Sequence, residues 1–150
     1  MKISFVIPVY NEKDSLEELY NEIIAGVGSK TYEIIFIDDG STDGSVNIIE
    51  QLTKKDSNVT MIQFYRNYGK SAALSEGFKH AEGDCIITMD ADLQDDPAEV
   101  DSLLLKLNEG YDLVSGWKKD RKDPLSKKLP SQFFNLITRI FTGVKIHDFN

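Results

Sequence analysis

Short apolar runs alternate with helical stretches along the whole chain, and no other feature limits its fold as strongly. Residues 3–9 are apolar and β-branched, the pattern of a short buried strand. Residues 14–27 follow with Leu16, Leu19, Tyr20, Ile23, Ile24 and Val27 on one helical stripe. The alternation predicts further strands at 32–37, 59–65, 84–89 and 111–115. It predicts further helices at 42–55, 71–81, 97–108 and 129–141. Pro97 suits a first helical turn, and Thr42 or Asp43 suits a cap. Strands separated by helices of this length build βαβ units. The expected architecture is α/β, a mainly parallel sheet between two helical layers. A chain of 150 residues, 41% of them hydrophobic, buries such a core as one domain.

In sheets of this kind ligands bind beyond the carboxyl ends of the strands. The loops there should share one rim, and the sequence loads them with polar groups. They read Pro8-Val9-Tyr10-Asn11-Glu12, then Asp38-Asp39-Gly40-Ser41-Thr42-Asp43-Gly44, then Arg66-Asn67-Tyr68-Gly69-Lys70, then Asp90-Ala91-Asp92-Leu93-Gln94-Asp95-Asp96. Clustered carboxylates repel unless a cation balances them. Hard oxygen donors at this density suit Mg²⁺ or Mn²⁺. Asp90 and Asp92 carry the most weight because they follow a buried strand directly. In extended backbone residues i and i+2 point the same way, so Asp90, Asp92 and Gln94 can face one ion. Asp95 or Asp96 reads instead as a cap for the next helix. Lys70 is placed to reach a diphosphate.

Three rival motifs are weaker. Asp39, Ser41, Asp43, Gly44 and Glu50 have the spacing of an EF-hand calcium loop, but a predicted strand precedes them where that loop needs a helix. Otherwise Asp38 and Asp39 are expected to hydrogen-bond a base or ribose. Gly69-Lys70-Ser71 resembles the end of a phosphate loop, yet Phe64 stands where its first glycine belongs. His80 and His147 have no partner at ligand spacing. Cys85, the single cysteine, excludes an internal disulfide and reads as a packed core residue in a reducing compartment.

The net charge of −8 argues against a nucleic-acid partner. Residues 118–128 run against it, with six basic and two acidic side chains. The predicted helix at 129–141 then offers Leu129, Phe133, Phe134, Leu136, Ile137, Ile140 and Phe141. A basic stretch followed by an aromatic amphipathic helix reads as a membrane-surface element, or as a face that packs on the rest of the fold. No apolar run approaches the roughly 18 residues of a span, and the first residues lack a signal-peptide layout.

Together the segments VIPVYNE, IDDGSTDGS, RNYGKSAAL and MDADLQDDP resemble the family 2 glycosyltransferases of the GT-A fold, a Rossmann-like form of the expected architecture. MDADLQDDP is most similar to the branch that acts on polyprenyl phosphates, such as the dolichyl-phosphate mannosyltransferases. The resemblance implies an inverting transfer of a hexose from a UDP- or GDP-sugar to a polyprenyl phosphate at the cytoplasmic face of a membrane. It implies that Pro8, Tyr10, Glu12 and Asp39 line the nucleoside site. It implies that Asp90, Asp92 and Gln94 hold the metal and diphosphate. The branch's G-x-R element reads Gly116-Trp117-Lys118 here, so Arg121 is the expected ligand of the acceptor phosphate, with Asp92 beside the reacting diphosphate. The chain stops at Asn150 inside a motif the family continues, and so reads as a catalytic domain cut at its C-terminus.

The expected chemistry follows from charge. A departing diphosphate needs a Lewis acid. An acceptor phosphate, with a second pKa of about 6, attacks as an anion without a general base. An acceptor sugar hydroxyl is the alternative and would need one. A calcium- or nucleotide-binding module without activity is a more distant reading.

Overall fold

The computed structural model describes residues 1–116. Its elements run β1 (Lys2–Val9), α1 (Leu16–Val27), β2 (Thr31–Asp38), α2 (Ser45–Lys55), β3 (Val59–Gln63), α3 (Lys70–His80) and β4 (Cys85–Thr88). A 3₁₀ turn (Pro97–Glu99) then leads into α4 (Val100–Leu107). The four strands form one parallel sheet in the order β3-β2-β1-β4.

Connection handedness explains which helix covers which face. The steps from β1 to β2 and from β2 to β3 move the same way along the sheet. Right-handed crossovers therefore put α1 and α2 on one face. The step from β3 to β4 runs back past two strands, so α3 lands on the opposite face. Two clusters record this. Ile3, Phe5, Ile7 and Val9 of β1 pack with Leu16, Leu19 and Ile23 of α1 and Ile49 and Leu52 of α2. On the other face Val6, Ile35 and Ile37 pack with Ala73 of α3. The sheet is thus the middle of three layers, as expected. Phe5, Phe36 and seven isoleucines are fully buried, and each contributes about 1.5–3 kcal/mol.

The order in which strands are added reverses between β1 and β4, which is where such folds open a ligand crevice. β1 pairs with β2 as far as Val9, but its ladder to β4 stops at Val6 opposite Thr88. Pro8 lies just past that point and has no N–H to extend a ladder. The two strands part there, and Asp90 begins the loop on the β4 side.

One expected element does not form among the described residues. Residues 111–116 have no regular structure, so the strand expected at 111–115 is not among the described residues. Its run is interrupted by Asp112, and Leu113 is 86% exposed. A strand this short needs burial to offset its ordering, and these side chains are not buried. Cys85 is half-buried against the larger cluster, and burial pushes its thiol pKa up. The chain divides into two units after Leu104, and Met1–Leu104 carries the sheet and the four loops. Among the described residues no helix is long and apolar enough to cross a membrane. The helix expected at 129–141 and the basic stretch at 118–128 lie outside the described residues.

Candidate active site

The four loops at the carboxyl end of the sheet are tied to one another in a ring. The β1 loop holds the β2 loop by backbone and side chain alike. The Asn11 amide donates to Ser41 Oγ at 2.9 Å, and Asn11 Oδ1 accepts from the Thr42 amide at 2.8 Å. The Glu12 amide donates to Ser45 Oγ at 3.0 Å and the Lys13 amide to Asp43 Oδ2 at 3.1 Å. Small hydroxyl and carboxylate side chains do this because they reach a neighbouring amide without bulk.

The β2 loop in turn holds the β3 loop. Asp39 is 3% exposed and accepts from the amides of Tyr68 at 2.7 Å and Gly69 at 2.9 Å. Gly40 is required here. It has φ 76°, and a Cβ on it would lie 2.6 Å from the Arg66 carbonyl carbon. Only glycine permits both that φ and that approach.

The β3 loop meets the β4 loop through charge. Lys70, first residue of α3, places Nζ 2.5 Å from Asp90 Oδ1. The ring closes between the β4 and β1 loops, where Ser15 Oγ lies 2.5 Å from the Ala91 carbonyl oxygen and 2.9 Å from that of Glu12.

The β4 loop is also bent on itself. The Asp90 amide donates to Asp95 Oδ2 at 2.9 Å, and the Gln94 amide donates to Asp92 Oδ1 at 3.1 Å. Between them Leu93 takes φ 61°, a left-handed conformation that non-glycine residues adopt rarely and often at working sites. Asp92 and Gln94 are exposed and Asp90 is half-buried.

These contacts place the expected residues as follows. Tyr10 is exposed at the rim, with Pro8 and Glu12 half-buried near it. Asp39 sits in the wall of the site, between the β2 and β3 loops. Lys70 and Asp90 are in direct contact. Arg121 lies outside the described residues, as do Lys118 and His147.

The expected ligand role of Asp38 does not hold. It is fully buried, and both its oxygens accept from the Ser41 amide. Its carboxylate closes the turn, and Asp39 beside it is likewise taken up by the Tyr68 and Gly69 amides. Asp43, rather than Thr42, serves the start of α2, accepting from the Ser45 amide at 2.9 Å and hydroxyl at 2.6 Å. Burial raises its pKa, but these bonds outweigh that and hold it below the usual aspartate value. Asp96 caps the 3₁₀ turn by accepting from the Ala98 amide. The calcium-loop reading fails on two counts. β2 enters the loop where a helix is needed, and Asp39 and Asp43 are spent on backbone amides. His80 is exposed on α3.

Sequence reasoning missed Asn11, Ser15, Ser41 and Ser45, which connect the loops. Their signal was present as short polar side chains in YNEKDS and DGSTDGS, a pattern of local backbone capping.

The site suits a divalent cation by its chemistry. Asp90, Asp92 and Gln94 offer hard oxygen donors, and Asp90 already holds a positive charge in the Lys70 ammonium. Among the described residues no group of three His, Cys, Asp or Glu side chains gathers into a metal site.

A family model described as "Glycosyl transferase family 2" matches residues 4–148. The chain belongs to glycosyl transferase family 2.

This family 2 chain is 45% identical over 150 residues to an undecaprenyl-phosphate 4-deoxy-4-formamido-L-arabinose transferase of Shewanella sediminis, covering 98% of this chain and 45% of the relative. The enzyme of the same name from Salmonella paratyphi A is 43% identical over 151 residues, with 99% and 46% covered. The chain therefore spans about half the length of the curated relatives it matches. Among solved structures, Staphylococcus aureus TarS 1–349 superposes with a TM-score of 0.66 at 26% identity, covering 84% of this chain and 39% of TarS. Glucosyl-3-phosphoglycerate synthase of Mycobacterium tuberculosis, solved with Mn²⁺, UDP and glucosyl-3-phosphoglycerate, superposes with a TM-score of 0.56 at 26% identity, with 71% and 39% covered. The family 2 chain thus has the GT-A fold that its motifs led us to expect.

Proposed function

We propose that this chain is the catalytic domain of an inverting, metal-dependent transferase that moves a sugar from a nucleotide diphosphate to a polyprenyl phosphate. The observation that carries the reading is the position of Asp90. It begins its loop where β1 and β4 part, and it holds a cation there. The relatives' names support the acceptor, since both act with undecaprenyl phosphate. The neighbour solved with Mn²⁺ and UDP supports the donor and the metal. A hexose is the sugar expected from sequence. The relatives' names specify a substituted arabinose, which is a pentose, so the donor sugar is taken here as hexose or pentose.

The residues divide the work by chemistry. Tyr10, Glu12 and Pro8, with the wall built on Asp39, receive the nucleoside. Asp90, Asp92 and Gln94 would hold Mg²⁺ or Mn²⁺, which as a Lewis acid neutralises the diphosphate as it leaves. Lys70 adds a charge-assisted contact to the same diphosphate. The acceptor phosphate is ionised near neutral pH, with a second pKa of about 6, so its oxygen attacks C1 without a base. The C1–O bond to the diphosphate breaks as the new one forms on the opposite face. Arg121 is proposed to position the acceptor phosphate, because its guanidinium binds phosphate in a bidentate way. Association with the cytoplasmic face of a membrane belongs to this same proposal.

Calorimetric titration with UDP and with GDP, each with and without Mn²⁺, tests the reading. Metal-dependent binding of one nucleotide is the expected result. Binding of neither, in the presence of Mn²⁺, overturns it.

A further inference from the structure

We propose that Lys70 is a resident counter-cation for Asp90. Its ammonium occupies the position of the divalent ion while that ion is absent, yields when the ion binds, and then turns to the diphosphate of the donor. The inference rests on the metal-dependent reading above and adds a competition to it.

The geometry defines the competition. Lys70 Nζ lies 2.5 Å from Asp90 Oδ1, so the ammonium fills space that a cation on that oxygen needs. Both backbones are fixed. Asp39 clamps Gly69, immediately before Lys70, and Asp95 accepts from the Asp90 amide. What remains free is the lysine stem, four carbons ending in a rotatable ammonium. The two side chains are 58% and 40% exposed, so the pair is weak enough to open.

A divalent ion carries twice the charge of the ammonium. The two cations repel when both are within a few ångströms of one carboxylate. The ion therefore displaces Lys70, but the tether keeps the ammonium nearby. The next anion to arrive is the diphosphate that the same ion binds. Lys70 thus neutralises a carboxylate in the empty site and a phosphate in the loaded one. Metal alone must break the Lys70–Asp90 pair with no replacement for the lysine. Metal with nucleotide supplies the replacement, so the two ligands bind with positive coupling.

This arrangement predicts changes of opposite sign in one variant, which a merely structural role for Lys70 would not give. Mn²⁺ binding is followed by the electron paramagnetic resonance of the free ion, and nucleotide binding by calorimetry. Lys70→Gln should bind Mn²⁺ alone about two- to fivefold more tightly than the parent chain, the range of a partly exposed ion pair. With saturating Mn²⁺ it should bind UDP or GDP about tenfold or more weakly. Lys70→Arg should bind Mn²⁺ more weakly than the parent, because a guanidinium grips a carboxylate with two bonds. Lys79→Gln removes the same charge at the far end of α3, where Lys79 pairs with Glu76, and should change neither affinity. Lys70→Gln with unchanged or weaker Mn²⁺ binding overturns the inference. So does equal tightening in Lys70→Gln and Lys79→Gln, which would reduce the effect to net charge. A parent chain that takes up no Mn²⁺ with either nucleotide overturns the metal-dependent reading itself, and the competition with it.

Discussion

Asp39 Oδ2 accepts the Gly69 amide at 2.9 Å, one residue before Lys70 begins α3. The carboxylate is almost fully buried, and its other oxygen accepts the Tyr68 amide. One side chain of the β2 loop therefore sets where the β3 loop ends and where Lys70 starts. Asp39→Asn turns one acceptor oxygen into a donor that faces an N–H. The variant should lose about 1–3 kcal/mol of stability, the penalty for an unsatisfied buried group. Urea unfolding measures the loss, and faster hydrogen exchange at Tyr68 and Gly69 locates it. Unchanged exchange at those two amides would remove Asp39 from this role.

Asp92 is the opposite case. It is exposed, and the bond it accepts from the Gln94 amide can be kept by an asparagine oxygen. Asp92→Asn should leave stability within about 0.5 kcal/mol of the parent, as exposed substitutions do. It should weaken Mn²⁺-dependent nucleotide binding by about tenfold or more, because a charged ligand is lost where even an outer-sphere partner matters that much. Calorimetry beside an unfolding curve reads both. Equal nucleotide affinity in the two proteins takes Asp92 out of the metal set.

The fold was legible because periodicity and burial agree. Residues 3–9 and 32–37 are largely apolar runs, broken only by Ser4 and Glu33, and both form the central strands. The strand order was not legible; once it is known, handedness assigns the helices to faces. The rim was legible because the polar loops follow directly from strands. What stayed hidden was the division of labour among carboxylates. Asp38, Asp39, Asp43, Asp90 and Asp92 look alike in the sequence, yet Asp38 closes a turn, Asp39 clamps two amides and Asp43 starts a helix. The Asp39 role depends on two loops about 30 residues apart meeting in space, which no local spacing reveals, whereas the Asp38 turn and the Asp43 cap are local and depend on how each turn closes. The run at 111–115 failed for the reverse reason. Its local pattern suits a strand, but strand formation depends on a buried partner rather than on propensity alone.

Gly77 lies inside α3, where alanine normally stabilises a helix by about 1 kcal/mol. Here the sign should reverse. A Cβ on Gly77 would lie 2.4 Å from Val6 Cγ1 and 2.8 Å from Ile37 Cδ1. Both belong to the smaller core cluster, which is fully buried and has little room to yield. Gly77→Ala should destabilise the chain by about 1–3 kcal/mol through overpacking. Chemical denaturation checks it, and a stabilised variant would mean that α3 sits less closely on the sheet than described.

Asp56, at the end of α2, gathers three donors. It accepts from Tyr32 Oη at 2.7 Å, from Tyr20 Oη at 3.1 Å and from the Asn58 amide at 2.9 Å. Burial alone would raise its pKa, but the three bonds outweigh burial and hold it below the usual aspartate value. Burial, with the nearby Asp56 carboxylate, pushes the Tyr20 hydroxyl up to about 12. The sign of the pH dependence follows. A carboxylate with a lowered folded pKa stabilises fully above its unfolded value of about 3.9, and that contribution is lost as the pH falls through the folded value. Tyr20 has its raised pKa in the folded state, so its contribution is in place below about pH 10 and is lost as the pH rises toward 12. The cluster should therefore hold a plateau of stability between these limits. Asp56→Asn keeps the shape but removes the charge. It should lower stability at pH 7 by about 1 kcal/mol or more. It should also flatten the acid flank, so that parent and variant converge as the pH drops below 4. Urea midpoints at pH 7, 5 and 3 measure this directly. A gap between the two proteins that stays constant down to pH 3 would mean that the Asp56 charge, as distinct from its shape, does not stabilise the fold.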